Sequence, residues 1–254
     1  GWDLSSSQGG LYVTRNGGSS WATVNLGRFS GRVRAIAIAP SEAQVMAVGI
    51  SEGVILSTDE GRSWQRITRG YKILHNVESL AFDPLDSNVL YVGTWRLGWK
   101  TMDRGRKWVA IHKGMYFDSD MFALLVNPLA PNILYASACT GVYRSLNAGA
   151  NWSKLRNGLP KEARRTRTLH FDPADPRVIL AGTTVGLFRS GDGGNSWTQL
   201  VRNEVINAVA VHPADSNLIL VAADDVGVLR SRDGGLSFEP ANHGFVHRQI
   251  QALA

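Results

Sequence analysis

The sequence predicts an all-β chain of tandem four-stranded antiparallel sheets, and three observations lead there. A pattern Gly-apolar-x-x-Ser/Thr-x-Asp/Asn-x-Gly-x-x-Trp recurs six times across the 254 residues. Its aromatic positions, Trp21, Trp64, Trp108, Trp152, Trp197 and Phe238, are separated by 43, 44, 44, 45 and 41 residues. A repeat of this period marks small supersecondary units, none of which buries its apolar face alone. The second observation is the size of the apolar runs, four to six residues bounded by Gly, Pro, Asp and Ser, with no helical periodicity. The third is a proline that closes the first run of each complete repeat: Pro40, Pro84, Pro128, Pro173 and Pro213. Proline cannot donate to a ladder, so it ends pairing and opens the turn.

The second repeat shows the elements in order. Residues 33–40 form a first strand, rich in β-branched side chains and stopped by proline. Residues 45–49 form a second, 53–57 a third and 63–67 a fourth. The first strand recurs at 77–84, 121–128, 166–173 and 206–213. Asp83, Asn127 and Asp172 stand before three of the prolines and add a turn-forming side chain.

Units of this size and strand count in tandem describe β-propeller blades. Five are continuous, at 32–68, 77–112, 121–156, 166–201 and 206–240. Residues 249–254 match a first strand alone, and residues 1–25 match the last three strands. The expectation is a single propeller domain over 1–254. It has six blades, closed by pairing of the C-terminal strand with the N-terminal segment, which leaves no open sheet edges. Gly1 falls in mid-repeat, so any targeting segment is expected outside the sequence.

The repeated Ser-x-Asp-x-Gly-x-x-Trp has a structural chemistry. The carboxylate accepts hydrogen bonds from turn amides that lack a strand partner, the glycine adopts a backbone shape closed to most residues, and the tryptophan covers the hairpin. The complete copies are Ser57, Asp59, Gly61 and Trp64; Thr101, Asp103, Gly105 and Trp108; Ser190, Asp192, Gly194 and Trp197; and, with phenylalanine last, Ser231, Asp233, Gly235 and Phe238. In two further copies Asn16 and Asn147 replace the acid, which keeps an acceptor oxygen without the charge.

These residues resemble the Asp-box, or BNR, repeat, and the resemblance covers essentially the whole chain. Asp-boxes occur in sialidases, xyloglucan-type glycosidases, sortilin-like receptors and photosystem II assembly factor propellers. The even spacing is most similar to the last group and its bacterial relatives. That resemblance implies a non-catalytic scaffold for protein interaction or complex assembly, in which the box is a folding device and no cofactor is used. It also implies an exported protein.

Composition bounds the rest. The 27 Lys and Arg against 21 Asp and Glu give a net charge of +6, which suits an anionic partner. No apolar run reaches the roughly 18 residues a membrane helix needs. The single cysteine, Cys139, forms no intramolecular disulfide and reads as a small buried residue at the end of an apolar strand. No His, Asp or Glu cluster has metal-ligand spacing, and His243 and His247, four apart in a loop, do not make a zinc site.

Function on a repeat scaffold is expected in loops, here on the face opposite the boxes. The residues placed there are Trp95, Arg96, Tyr116, Phe117, Arg164, Arg165 and Arg248. Six residues before the prolines stand Arg34, Glu78, Phe122, Arg167 and Asn207, with Gln251 as their counterpart near the C-terminus. These are expected to ring a channel mouth on that face. The run Arg164, Arg165, Arg167 is the densest basic stretch, and guanidinium groups grip carboxylate or phosphate through paired hydrogen bonds. The expected partner is a protein with an anionic surface. Carbohydrate is the alternative, since sugar binding needs an aromatic plate such as Trp95 or Tyr116. Nucleic acid has no recognised base-stacking motif behind it. Inverting glycoside hydrolysis needs two carboxyl groups about 6.5–9.5 Å apart across a groove. Asp118 or Asp120 with Asp224 or Asp225 is the pair the sequence offers.

Overall fold

The computed structural model describes residues 10–29, 32–72, 74–96, 98–116, 120–244 and 250–253, with Arg164 described in its backbone only. The chain divides into two compact units, 1–111 and 112–254.

In the first unit a hairpin of β1 (Tyr12–Val13) and β2 (Ala22–Thr23) precedes two four-stranded sheets. One is β3 (Val33–Ile38), β4 (Met46–Ile50), β5 (Gly53–Ser57) and β6 (Gln65–Arg66). The next is β7 (Val77–Phe82), β8 (Leu90–Thr94), β9 (Gly98–Thr101) and β10 (Val109–Ala110). The second unit holds three such sheets. They are β11 (Met121–Val126) to β14 (Ser153–Leu155), with β12 (Leu134–Ala138) and β13 (Gly141–Ser145) between; β15 (Thr166–Phe171), β16 (Ile179–Thr183), β17 (Gly186–Ser190) and β18 (Thr198–Arg202); and β19 (Ile206–His212), β20 (Asp215–Ala223), β21 (Gly227–Ser231) and β22 (Glu239–Pro240). Every pairing is antiparallel and sequential, the meander that the turn residues predict. A single turn of 3₁₀ helix, Lys161–Arg164, lies in a loop where the sequence shows no helix.

The first strand carries the same irregularity in all five sheets. Its register slips after one residue, between Val33 and Ala35, Val77 and Ser79, Met121 and Ala123, Thr166 and Thr168, and Ile206 and Ala208. The bulged residues are Arg34, Glu78, Phe122, Arg167 and Asn207, the set found six before each proline. A bulge leaves one residue outside the ladder and re-aims its side chain.

Residues paired just beyond the bulge are small on the second strand: Gly49, Gly93, Ser137, Gly182 and Ala222. The next sheet explains two of them. A Cβ at Gly49 would stand 2.5 Å from Val77, and one at Gly182 would stand 2.7 Å from Ile206. Adjacent sheets thus pack face to face. In the first unit the core runs through Val54, Leu56, Val77, Leu90, Val92 and Trp108; in the second it includes Val142, Leu169, Ile179 and Phe188.

The box is built the same way six times. The hydroxyl of residue one (Thr14, Ser57, Thr101, Ser145, Ser190 or Ser231) accepts the glycine N–H four residues on, at 2.8–2.9 Å. The oxygen of residue three accepts the N–H four residues beyond it at 2.8–3.0 Å, whether it belongs to Asp or Asn. Both the glycine and the residue before it are left-handed, as at Glu60 (φ 60°) and Gly61 (φ 82°). Three boxes are also tied to the chain segment that precedes their own sheet. The Trp152 N–H donates to Lys113 O at 2.8 Å and Trp197 N–H to Asn157 O at 3.0 Å. Within the first unit, Trp108 Nε1 donates to Ile67 O at 3.1 Å.

The sequence expectation that residues 250–254 pair with the N-terminal segment falls partly on residues 1–9 and 254, outside the described set. Residues 250–253 are described and carry no strand pairing.

Hydrogen bonding from Ser63 and Ser196 holds the Asp59 and Asp192 carboxyls down at about 2, and Ser237 holds Asp233 low in the same way. Asp103 has Lys107 where the others have serine and is lowered chiefly by the Lys107 backbone N–H. A carboxyl depressed on folding stabilises the protein above its unfolded value, and that contribution is lost as pH falls through the folded value. Urea unfolding is therefore expected to show stability falling from near pH 3.8 toward pH 2, and a flatter fall in the Asp59→Asn, Asp192→Asn double variant.

Gly114 supplies a second test. Its φ is +95°, and a Cβ would stand 2.1 Å from Trp152 O, whereas Gly244 (φ +86°) meets nothing within 4 Å. Gly244→Ala should cost about 1 kcal/mol for a left-handed alanine, and Gly114→Ala roughly 2 kcal/mol more for displacing the Trp152 backbone, read as a difference in urea midpoint.

Candidate functional site

The bulged side chains do not stand alone. In the first unit Arg34 forms an ion pair with Glu78, the equivalent residue one sheet on. Trp95, in the β8–β9 hairpin, donates its Nε1–H to the same carboxylate. The Arg34 guanidinium stacks over the Trp95 ring at 5.3 Å from its centroid. Three residues from three strand ends thus converge. The Trp95 ring remains 47% exposed, so it is an aromatic plate held in place by a charge pair beneath it. Arg96, beside it, is exposed and anchored through its backbone N–H to Thr94 Oγ1 at 3.0 Å.

The second unit repeats the lateral pairing with different chemistry. Arg167 Nη1 donates to Asn207 Oδ1 at 2.5 Å, and Asn207 Nδ2 donates to Ile250 O at 3.1 Å. Arg34, Arg167 and Asn207 thus each reach the next segment along. Arg167 is committed to this link.

Arg165 faces elsewhere. With Lys161, Glu162, Cys139, Thr140 and Thr184 it lines a cleft of about 840 Å³. The cleft lies between two equivalent turns, β12–β13 and β16–β17, with the 3₁₀ turn as its wall. That wall is pinned. Ala163 is 2% exposed, Thr184 N–H donates to Arg165 O at 3.2 Å, and Thr184 Oγ1 donates to Glu162 O at 3.4 Å. The backbone is fixed while the Lys161 and Arg165 side chains carry no carboxylate partner among the described residues. Most other arginines of this unit are engaged: Arg144 with Gly193 O and Asn195, Arg177 with Asp175, and Arg230 with Glu239.

A smaller groove of about 310 Å³ shares Thr140 and Lys161 with the cleft and extends to Lys154 and Arg156. The Lys154 ammonium lies 5.9 Å from the centroid of the Tyr116 ring, which is 62% exposed. Burial, then the nearby Arg156 charge, lowers the Lys154 pKa.

The predicted basic run is thus divided: Arg165 opens on the cleft, Arg167 is paired, and the side chain of Arg164 lies outside the described residues, as do Phe117, Asp118 and Arg248. Among the proposed acids, Asp224 and Asp225 form the β20–β21 turn, Asp225 with φ 60°, and the Asp120 carbonyl accepts the Cys139 N–H at 3.3 Å. Among the described residues, the one carboxylate lining the cleft is Glu162. No group of three metal-ligating side chains occurs among the described residues. Sequence reasoning did not place Cys139, Thr140, Thr184 or Lys154 at a site. The signal was available in part, since Thr140 and Thr184 hold the same second-to-third-strand turn as Trp95.

No protein-family model and no curated protein matches the chain. Solved structures do. A GH74 enzyme of Niastella koreensis is similar with a TM-score of 0.76 and 18% identity, over 91% of this chain and 42% of that one. The extracellular domain of BT4673 from B. thetaiotaomicron, named for a hybrid two-component system, gives 0.74 and 10%, over 99% and 36%. The GH74 xyloglucanase from Xanthomonas campestris gives 0.57 and 19%, over 91% and 50%. The chain has a β-propeller fold. At these identities the likeness is one of fold alone, and the chain spans about a third to a half of the solved chains it matches.

The lateral charge pair is testable. In a double-mutant cycle of Arg34→Ala and Glu78→Ala, urea unfolding is expected to give a coupling of about 1 kcal/mol, since both side chains are mostly buried and share Trp95. Additive effects would show that the pair holds nothing together.

Proposed function

We propose that this propeller is a non-catalytic binding module that docks an anionic protein partner through the cleft of Lys161 and Arg165, a scaffold role of the kind its resemblance to assembly factor propellers implies. The observation that carries the reading is a pair of cations without carboxylate partners on a pinned wall of an open cleft. Unpaired charge on a rigid element is a docking feature, because the partner's own charge completes it at little ordering cost.

A second reading, carbohydrate binding, rests on Trp95. Its ring is exposed, oriented by Glu78 and backed by Arg34, which is the arrangement an aromatic plate for a sugar ring requires. Structural likeness to GH74 enzymes supports a carbohydrate ligand over other small molecules.

The two readings separate by mutation. Capture of partners from a lysate of the source organism is expected to be lost in the Lys161→Glu, Arg165→Glu double variant and to weaken as salt shortens the Debye length below about 8 Å. An unchanged, salt-insensitive partner set would remove the docking reading. Retention on immobilised xyloglucan, lost on Trp95→Ala, would instead establish the second.

A further inference from the structure

The cleft and the smaller groove are one trough in chemical terms. Thr140 and Lys161 belong to both, so the surface runs continuously from Arg165 and Thr184, past Cys139 and Thr140, to Lys154 and Arg156. Among the described residues four cations line it against one acid, Glu162. Two threonine hydroxyls sit between them. The larger part is an open cleft of about 840 Å³. We infer that this trough takes an extended peptide segment rich in Asp and Glu, with one carboxylate gripped by Arg165 and later ones by Lys161, Arg156 and Lys154. The inference rests on the docking reading above and names its ligand class.

Two features select peptide carboxylates over a polynucleotide. The exposed aromatic ring beside the trough, Tyr116, has the Lys154 ammonium against it, so that face offers no plate for base stacking, on which single-strand binding depends. Glu162 interrupts the positive wall; a chain with a phosphate at every residue would meet it, and a peptide with spaced carboxylates need not. The guanidinium fork of Arg165 holds a carboxylate through two parallel N–H···O bonds, as it would a phosphate, so it supplies grip and not the choice between them. The trough's backbone is fixed through Ala163, Arg165 O and Glu162 O, so binding immobilises side chains and not a loop.

Cys139 is the only cysteine in the chain and lines the trough, so it reports occupancy. The test uses the full chain with a fluorescein-labelled glutamate-rich peptide, its glutamine counterpart, an oligothymidylate and heparin. Binding is followed by anisotropy and by the rate of maleimide addition to Cys139. The glutamate peptide is expected to bind and to slow labelling several-fold, the glutamine peptide to do neither, and Arg165→Gln to weaken binding roughly tenfold. Arg232→Gln, at the box of the last sheet, should leave binding unchanged and controls for net charge. Equal binding of the two peptides, equal protection by oligothymidylate or heparin, or binding that leaves the labelling rate unchanged would each overturn the inference.

The outcomes also separate this inference from the docking reading. Loss of lysate partners in the double glutamate variant with no binding of the acidic peptide leaves docking standing and removes the peptide. Peptide binding that protects Cys139, with lysate partners unaffected, does the reverse.

Discussion

The structure depends on side-chain oxygens standing in for strand partners. At each third-to-fourth-strand reversal two successive residues are left-handed, and several N–H groups point into the turn with no ladder to receive them. The Ser or Thr hydroxyl takes one and the Asp or Asn oxygen takes another, with the same geometry in all six copies. The fourth strand needs this support. In three of the five four-stranded sheets it is two residues long, too short to hold by its own ladder. The box and the tryptophan behind it keep the outer strand attached. Because Asn16 and Asn147 build the same turn as the acids, geometry is the requirement, and charge adds only the response to acid.

A rigid box end lets the other end of each sheet vary. The bulge at the start of each of the five first strands removes one residue from the ladder, and at Arg34, Arg167 and Asn207 the displaced side chain meets the next segment along. In one unit that contact is an ion pair capped by a tryptophan; in the other it is a guanidinium on an amide. The same backbone device serves both, which is how a repeat can hold different chemistry at equivalent places. The cleft of Lys161 and Arg165 arises differently, from a loop whose backbone is tied to the adjacent turn while its cations stay free.

The repeat made the sheets legible almost residue by residue. Four strands expected at 33–40, 45–49, 53–57 and 63–67 stand beside β3 to β6 at 33–38, 46–50, 53–57 and 65–66. Counting back from each proline located the five bulged residues, because proline and bulge sit at a fixed phase of the same strand. The site was harder to read. Arg165 and Arg167 are two apart and look equivalent in sequence, yet one lines a cleft and the other is bound to Asn207, forty residues on. That partition is set by a contact between sheets, which local pattern does not contain. Cys139 and Thr140 read as a strand end for the same reason: their environment is supplied by the 3₁₀ turn some twenty residues later.

Native-state hydrogen exchange, resolved at single amides, tests the central claim most directly. If box hydroxyls act as strand partners, the Gly149, Gly194 and Gly235 amides, each bonded to a serine oxygen, exchange as slowly as amides in the middle of β12, β16 and β20. Exchange at the rate of the exposed loop through Arg156 and Asn157 would contradict the account, and the boxes would then be turns that merely follow the strands.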